Sequence, residues 1–62
     1  MTMAQLGAVY ALNIGERKAF RSRGHSIEIE YRKEGYIVRK DGAIIGLVTF
    51  AGLCDLSDAK II

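Results

Sequence analysis

The stretch SIEIEYRKEGYIVRKDGAIIGLVTF, residues 26–50, decides the fold. Near its start, apolar and charged residues alternate strictly from Ile27 to Arg32. Such alternation is typical of a β-strand with one buried face. Two later pairs, Glu34-Gly35 and Asp41-Gly42, each suit a two-residue turn, because glycine accepts a positive φ without steric cost. The stretch therefore predicts a three-stranded antiparallel meander.

The two turns together predict a register. They place Val38 opposite both Tyr31 and Ile45, and they place Glu30 opposite Arg39 as a cross-strand pair of opposite charge. In this register the apolar and charged side chains separate onto two faces, which a slip of one residue would destroy. The apolar face would hold Ile27, Ile29, Tyr31, Tyr36, Val38, Ile45 and Leu47, and the charged face would hold Glu28, Glu30, Arg32 and Arg39.

The charged face also carries apolar residues that need cover. Either another segment of the chain covers them or a second molecule does. A chain this short does not easily bury both faces of a sheet, so association is favoured. We therefore predict self-association as a homodimer, or a partner contact, through Ile37, Ile44, Val48 and Phe50.

The N-terminal residues suit a helix or a strand. Thr2 and Gln5 fit a capping box at a helix start, and Gly15 would end the helix. The alternate positions from Leu6 to Ile14 are also apolar, as a strand would require. The helix is favoured, and the strand alternative would make the protein mostly β. The helical stripe consists of Met3, Leu6, Tyr10 and Ile14.

Two further segments complete the predicted architecture. Residues 16–26 are too polar for a core and predict a loop or a short helix that ends at Gly24. Asp55 or Ser57 can begin a short C-terminal helix, which must dock because short helices are unstable alone. We expect one α+β domain over residues 1–62, in which the N-terminal helix covers one face of the meander and the C-terminal helix closes an edge.

The composition narrows the class of protein. Half of the 62 residues are hydrophobic, which is typical of a globular chain. The lone Cys54 allows no disulfide within a monomer, and with a single histidine it cannot complete a tetrahedral metal site. The uncharged residues 1–15 lack the basic start of a signal peptide and are too short to span a bilayer. We expect a cytoplasmic protein without a metal, a cofactor or a membrane contact.

Every candidate for catalysis has a simpler interpretation. A histidine base needs an orienting partner and a nucleophile, and the spacing around His25 supplies neither. Apolar neighbours and Asp55 oppose thiolate formation at Cys54. The carboxylates Glu28 and Glu30 have basic neighbours, which indicates a salt-bridged face. We therefore predict no catalytic residues and no enzyme.

The segment RKAFRSRGH, residues 17–25, is the strongest polar feature. It contains four positive charges without an acid between them, and Phe20 lies among them. Arginine pairs with phosphate and phenylalanine can stack on a base, so a small nucleic-acid-binding protein or repressor is the alternative. An acidic protein surface would be recognised equally well, and we favour a protein partner. The predicted partner-binding residues are Arg17, Lys18, Phe20, Arg21, Arg23, Tyr36 and Arg39.

The function expected from these features is non-enzymatic protein binding. Phage and mobile-element inhibitors, including anti-CRISPR proteins, are commonly of this size and this plain in sequence. By analogy with that class, we expect an inhibitor that blocks a host complex through a basic and aromatic surface.

Overall fold

The computed structural model describes all 62 residues and contains two helices and one four-stranded sheet. The strands are antiparallel and follow the order β1-β2-β3-β4. The α+β class and both terminal helices are confirmed, and the sheet has one strand more than predicted. The elements are α1 Met3–Tyr10, β1 Arg17–Ser22, β2 His25–Arg32, β3 Gly35–Lys40, β4 Ala43–Val48 and α2 Phe50–Asp58.

Strand β1 corrects the prediction of a loop or a short helix over residues 16–26. Arg23 and Gly24 have φ angles of 54° and 78°. Positive φ at both positions is the geometry of a tight turn that matches the twist of two antiparallel strands. Phe20 is the only apolar side chain of β1 that packs against the core. One such residue produces no detectable alternation, which is why the strand was missed.

The turn between β2 and β3 lies one residue earlier than predicted. Arg32 pairs with Gly35, so Gly35 belongs to β3 rather than to the turn. Tyr31 consequently faces Tyr36 and not Val38. The pairing has moved by two residues, and an even shift leaves every side chain of β2 and β3 on its predicted face.

A β-bulge interrupts the pairing of β3 with β4. Arg39 pairs with Ile44 whereas Val38 pairs with Gly46, so Ile45 is an extra residue without a partner. An extra residue in one strand reverses the face of the residues that follow it.

The bulge makes part of the predicted core assignment wrong. Leu47 lies opposite Ile37, on the face predicted to be charged, and Val48 lies opposite Tyr36 on the core face. Ile45 and Leu47 were both expected in the core, yet they are 43% and 54% exposed.

Helix α1 begins as predicted and ends early. The Gln5 N–H donates to Thr2 Oγ1 at 3.1 Å, and the Thr2 N–H donates to Gln5 Oε1 at 2.9 Å. This capping box satisfies two N–H groups at the helix start. The helix ends at Tyr10 rather than near Gly15, because the Gly15 N–H donates to Tyr31 O and draws the chain to the end of β2. The strand alternative for this segment is wrong.

Helix α2 begins earlier than predicted. Its N-cap is Thr49, whose Oγ1 accepts a hydrogen bond from the Gly52 N–H at 3.1 Å. The predicted caps, Asp55 and Ser57, therefore lie inside the helix. As the first residue of the helix, Phe50 packs against the core. Neither helix of the chain is long enough and apolar enough to cross a membrane.

Both helices pack on the same face of the sheet. Val9 of α1 and Leu53 of α2 are fully buried in one cluster with residues of β2 and β3. We call this the inner face. The other face has no helix over it. The buried cluster consists of Val9, Ile27, Ile29, Tyr36, Val38, Leu53 and Ile62.

A row of aromatic rings connects the helices to the sheet. The ring of Tyr10 meets Phe50 edge-on at 5.0 Å between centroids, and Phe50 lies 6.0 Å from Tyr36. Tyr36 in turn stacks on Tyr31 at 4.6 Å. Edge-on and stacked pairs at these distances are favourable beyond the area that they bury.

Candidate functional site

The face of the sheet opposite the helices is the candidate binding surface, and we call it the open face. It has two parts, a charged network centred on β2 and an apolar strip across β3 and β4. The strand register places on it Arg17, Ala19, Arg21, Ser26, Glu28, Glu30, Arg32, Ile37, Arg39, Ile44 and Leu47.

Ion pairs join the charged residues into a network. Arg39 Nη1 lies 3.2 Å from Glu28 Oε1 and 3.2 Å from Glu30 Oε1. Arg32 Nη1 lies 2.9 Å from Glu30 Oε2, and Arg17 Nη1 lies 3.9 Å from Glu28 Oε1. The predicted contact of Glu30 with Arg39 is thus present, although it is diagonal because Glu28 is directly opposite Arg39.

Glu30 is the most enclosed member of this network, with a side chain only 13% exposed. Hydrogen bonds from Arg32 and then Arg39 hold the pKa of its carboxyl below the usual value. The carboxylate is therefore kept ionised and occupied by arginines, and the centre of the open face presents a largely neutralised surface.

The apolar strip consists of Ile37, Ile44 and Leu47. Ile37 and Leu47 are cross-strand neighbours. Ile44 and Leu47 are 63% and 54% exposed. Strand β4 contains no charged residue, although edge strands are usually protected by charges against pairing with other chains. Exposed apolar side chains gathered on an uncovered sheet face are typical of a contact surface.

The structure does not bring the predicted partner-binding residues together on one surface. Because the side chains of β1 alternate, Arg17 and Arg21 belong to the open face while Lys18 and Phe20 belong to the inner side. Phe20 is half-buried and packs against the core.

The other three predicted partner-binding residues are also dispersed. Arg23 is in the β1–β2 turn, and Arg39 is engaged by two glutamates. Tyr36 is only 7% exposed, with its ring held between Tyr31 and Phe50. Its ring is therefore part of the core and is not available as a surface anchor.

Two of the four predicted self-association residues, Ile37 and Ile44, lie on the open face. Val48 and Phe50 pack against the core instead. Leu47 belongs to the open face and was missed, because only the bulge turns it outward. The one hint in the sequence was a glycine inside the strand at position 46, which is typical of a bulge. Self-association itself stays a prediction.

His25, the sole histidine, is held by the β3–β4 turn. Its Nδ1 lies 2.6 Å from Asp41 Oδ2, while Asp41 Oδ1 accepts a hydrogen bond from the Ser26 N–H at 3.0 Å. The bond from Ser26 and then the bond from His25 lower the pKa of the Asp41 carboxyl. These contacts tie the start of β2 to the turn, which is a structural role.

Cys54 is a free, half-buried thiol on α2. No group of three His, Cys, Asp or Glu side chains is placed to hold a metal ion. Comparison with known proteins gives no match, since no family model, no curated protein and no solved structure is significantly similar to the chain.

Proposed function

We propose that this chain is a non-enzymatic protein-binding module that contacts its partner through the open face. The observation that supports this proposal is the apolar strip, in which Ile44 and Leu47 are 63% and 54% exposed. Both helices pack on the inner face, so they do not shield the strip. Removing this apolar area from water would stabilise a complex.

The charges of the open face suggest the chemistry of the partner. Four arginines and two glutamates give this face a net charge of +2. Arg21, at the margin of the face, forms no ion pair with a carboxylate. A complementary surface would place apolar groups against the strip and acidic groups against β1.

The specific form of the proposal is an inhibitor that blocks a host complex by occupying one of its surfaces. Its support is the analogy with small phage and mobile-element inhibitors, including anti-CRISPR proteins, together with the uncovered sheet face. The free thiol of Cys54 suits a reducing compartment such as the cytoplasm.

Binding of nucleic acid is the alternative, and the geometry supports it less well. Phe20 lies on the inner side of β1, whereas Arg17 and Arg21 lie on the open face. A base stacked on Phe20 would thus be separated from phosphates bound by the two arginines. A gel shift at low salt that shows no complex would exclude this alternative.

The test compares two isoleucines of equal exposure. Ile44 on the open face is 63% exposed, and Ile14 in the loop between α1 and β1 is 64% exposed. Each is changed to lysine in an affinity-tagged chain, and circular dichroism checks that the variants fold. Proteins retained from a lysate are identified, purified and titrated against both variants. We expect Ile14→Lys to keep the partner and Ile44→Lys to lose it.

The expected loss follows from the exposed fraction. Full burial of an isoleucine side chain contributes ~1.5–3 kcal/mol. The 63% of Ile44 that is exposed then corresponds to about 1–2 kcal/mol, or roughly a 5- to 30-fold weaker complex. A partner held equally by both variants, or lost equally from both, would contradict the proposal.

A further inference from the structure

A solvent-open cavity of about 290 Å³ lies where the start of α1 meets the β1–β2 turn. Only one lining residue is hydrophobic and none is acidic. The cavity is therefore suited to a polar ligand, and its own charge is positive. It is lined by Met1, Thr2, Gln5, Arg21, Ser22 and Arg23.

The positive charge comes from Arg21 and Arg23, neither of which pairs with a carboxylate. Arg21 Nη2 donates to Gly24 O at 3.3 Å, which holds this guanidinium beside the turn. Burial and then the charge of Arg23 lower the pKa of the Met1 amino group. The Met1 amino group is itself engaged, because it donates to Ser57 Oγ at 3.0 Å and to Ile62 O at 2.9 Å. Arg21 and Arg23 are therefore the positive residues of the cavity that have no carboxylate partner.

The wall formed by α1 supplies hydrogen-bond donors. In the capping box both Thr2 Oγ1 and Gln5 Oε1 act as acceptors. The hydroxyl hydrogen of Thr2 and the amide NH₂ of Gln5 are therefore not used within the box. Ser22 adds another hydroxyl from the end of β1. Two arginine residues and several residues with neutral donors thus line one cavity.

We propose that this cavity binds the phosphate group of a small phosphomonoester. Phosphate oxygens accept paired hydrogen bonds from arginine and single bonds from hydroxyl and amide groups. A concave surface of one charge also raises the local concentration of an oppositely charged ligand. The proposal goes beyond the protein-binding function and does not involve the apolar strip.

The size and surroundings of the cavity favour a small ligand over a nucleic-acid strand. Cavities for drug-sized ligands are usually ~300–1,000 Å³, so this one is at the lower limit. The next cation along β1 on the open face, Arg17, is engaged by Glu28, and Lys18 lies on the inner side. No row of free cations continues from the cavity, as a phosphate backbone would require.

The test is an NMR titration of the untagged, ¹⁵N-labelled protein at constant ionic strength. The probes are inorganic phosphate, O-phosphoserine and a short single-stranded DNA. Arg21→Gln and Arg23→Gln each remove the charge of one arginine that lines the cavity. Lys33→Gln removes one charge from the distant β2–β3 turn and is the matched control.

The proposal expects saturable shifts from phosphate and O-phosphoserine, confined to residues 2–5 and 21–24. Arg21→Gln and Arg23→Gln should weaken this binding about tenfold or more, while Lys33→Gln should leave it unchanged. Shifts that never saturate, shifts with DNA alone, or equal weakening in all three variants would overturn the proposal. The absence of any shift would overturn it too.

Discussion

Replacement of Gly35 by alanine should be the most damaging single change of a glycine in this protein. Gly35 has a φ angle of 143°, a value that side chains rarely tolerate. A Cβ atom at this position would lie 2.7 Å from the carbonyl oxygen of Val48 on the neighbouring strand. That oxygen belongs to the backbone of β4, so relief of the contact requires the two strands to separate.

Two contributions set the magnitude. Backbone strain at a glycine-only φ contributes ~1–3 kcal/mol, and an overpacked contact contributes a further ~1–3 kcal/mol. Reduced freedom of the unfolded chain offsets ~0.4–1 kcal/mol of this. The expected loss of about 2–5 kcal/mol compares with a total stability of roughly 3–9 kcal/mol for a domain of this length. Gly35→Ala should therefore remove about half of the stability or more.

Urea unfolding followed by circular dichroism measures this loss of stability, and alanine variants of two other glycines serve as comparisons. Gly24 has a φ of 78° but open space around it, so Gly24→Ala should lose only about 1 kcal/mol. Gly7 lies inside α1 with neither a positive φ nor a close neighbour, so Gly7→Ala should raise the free energy of unfolding by ~0.5–1 kcal/mol. A Gly35→Ala protein no less stable than Gly24→Ala would refute the close approach of β3 and β4.

Two further predictions concern the core and the response to acid. Leu53→Ala should lower the free energy of unfolding in urea by ~2–5 kcal/mol, because Leu53 is 0% exposed in the core. Leu56→Ala, on the half-buried side of the same helix, should lower it by less. An equal decrease in the two variants would contradict this packing. Asp41→Asn should be less stable than the natural chain at neutral pH. The bonds that lower the pKa of Asp41 favour its ionised form in the folded state, and they therefore stabilise the fold at pH values above 3.8, the ordinary pKa of an aspartate. That stabilisation is lost as the pH falls through the lower pKa of the folded state, so the difference in unfolding free energy between the two proteins should disappear in acid. A difference independent of pH would argue against the contacts of Asp41 with His25 and Ser26.

Features that depend on near neighbours in sequence could be predicted. The alternation of β2 reports its two faces directly, because side chains of a strand point to opposite sides in turn. The capping box of Thr2 and Gln5 needs only four consecutive residues and was confirmed. The charged network could be anticipated for the same reason, since Glu28, Glu30 and Arg39 have the parity that puts them on one face.

Features that depend on distant contacts could not be predicted. Helix α1 ends where Gly15 bonds to Tyr31, a residue far along the chain. Strand β1 is recruited by pairing with β2, although Phe20 is its only apolar contribution to the core.

The candidate site was only half predicted, because a single extra residue in β4 decides which side chains face outward. The bulge moves Leu47 to the open face and turns Val48 inward. The sequence also could not show whether Tyr36 is buried or exposed, because its burial depends on where α2 places Phe50. The residues of the apolar strip became clear only from the register.

The aromatic row gives this protein a built-in spectroscopic reporter. All three tyrosines of the chain belong to the row, and the chain has no tryptophan. Near-ultraviolet circular dichroism should therefore sense how α1 and α2 dock on the sheet, while the far-ultraviolet spectrum senses the helices and strands themselves. An Ile44→Lys protein that loses its partner with both spectra intact has lost a contact surface rather than its shape.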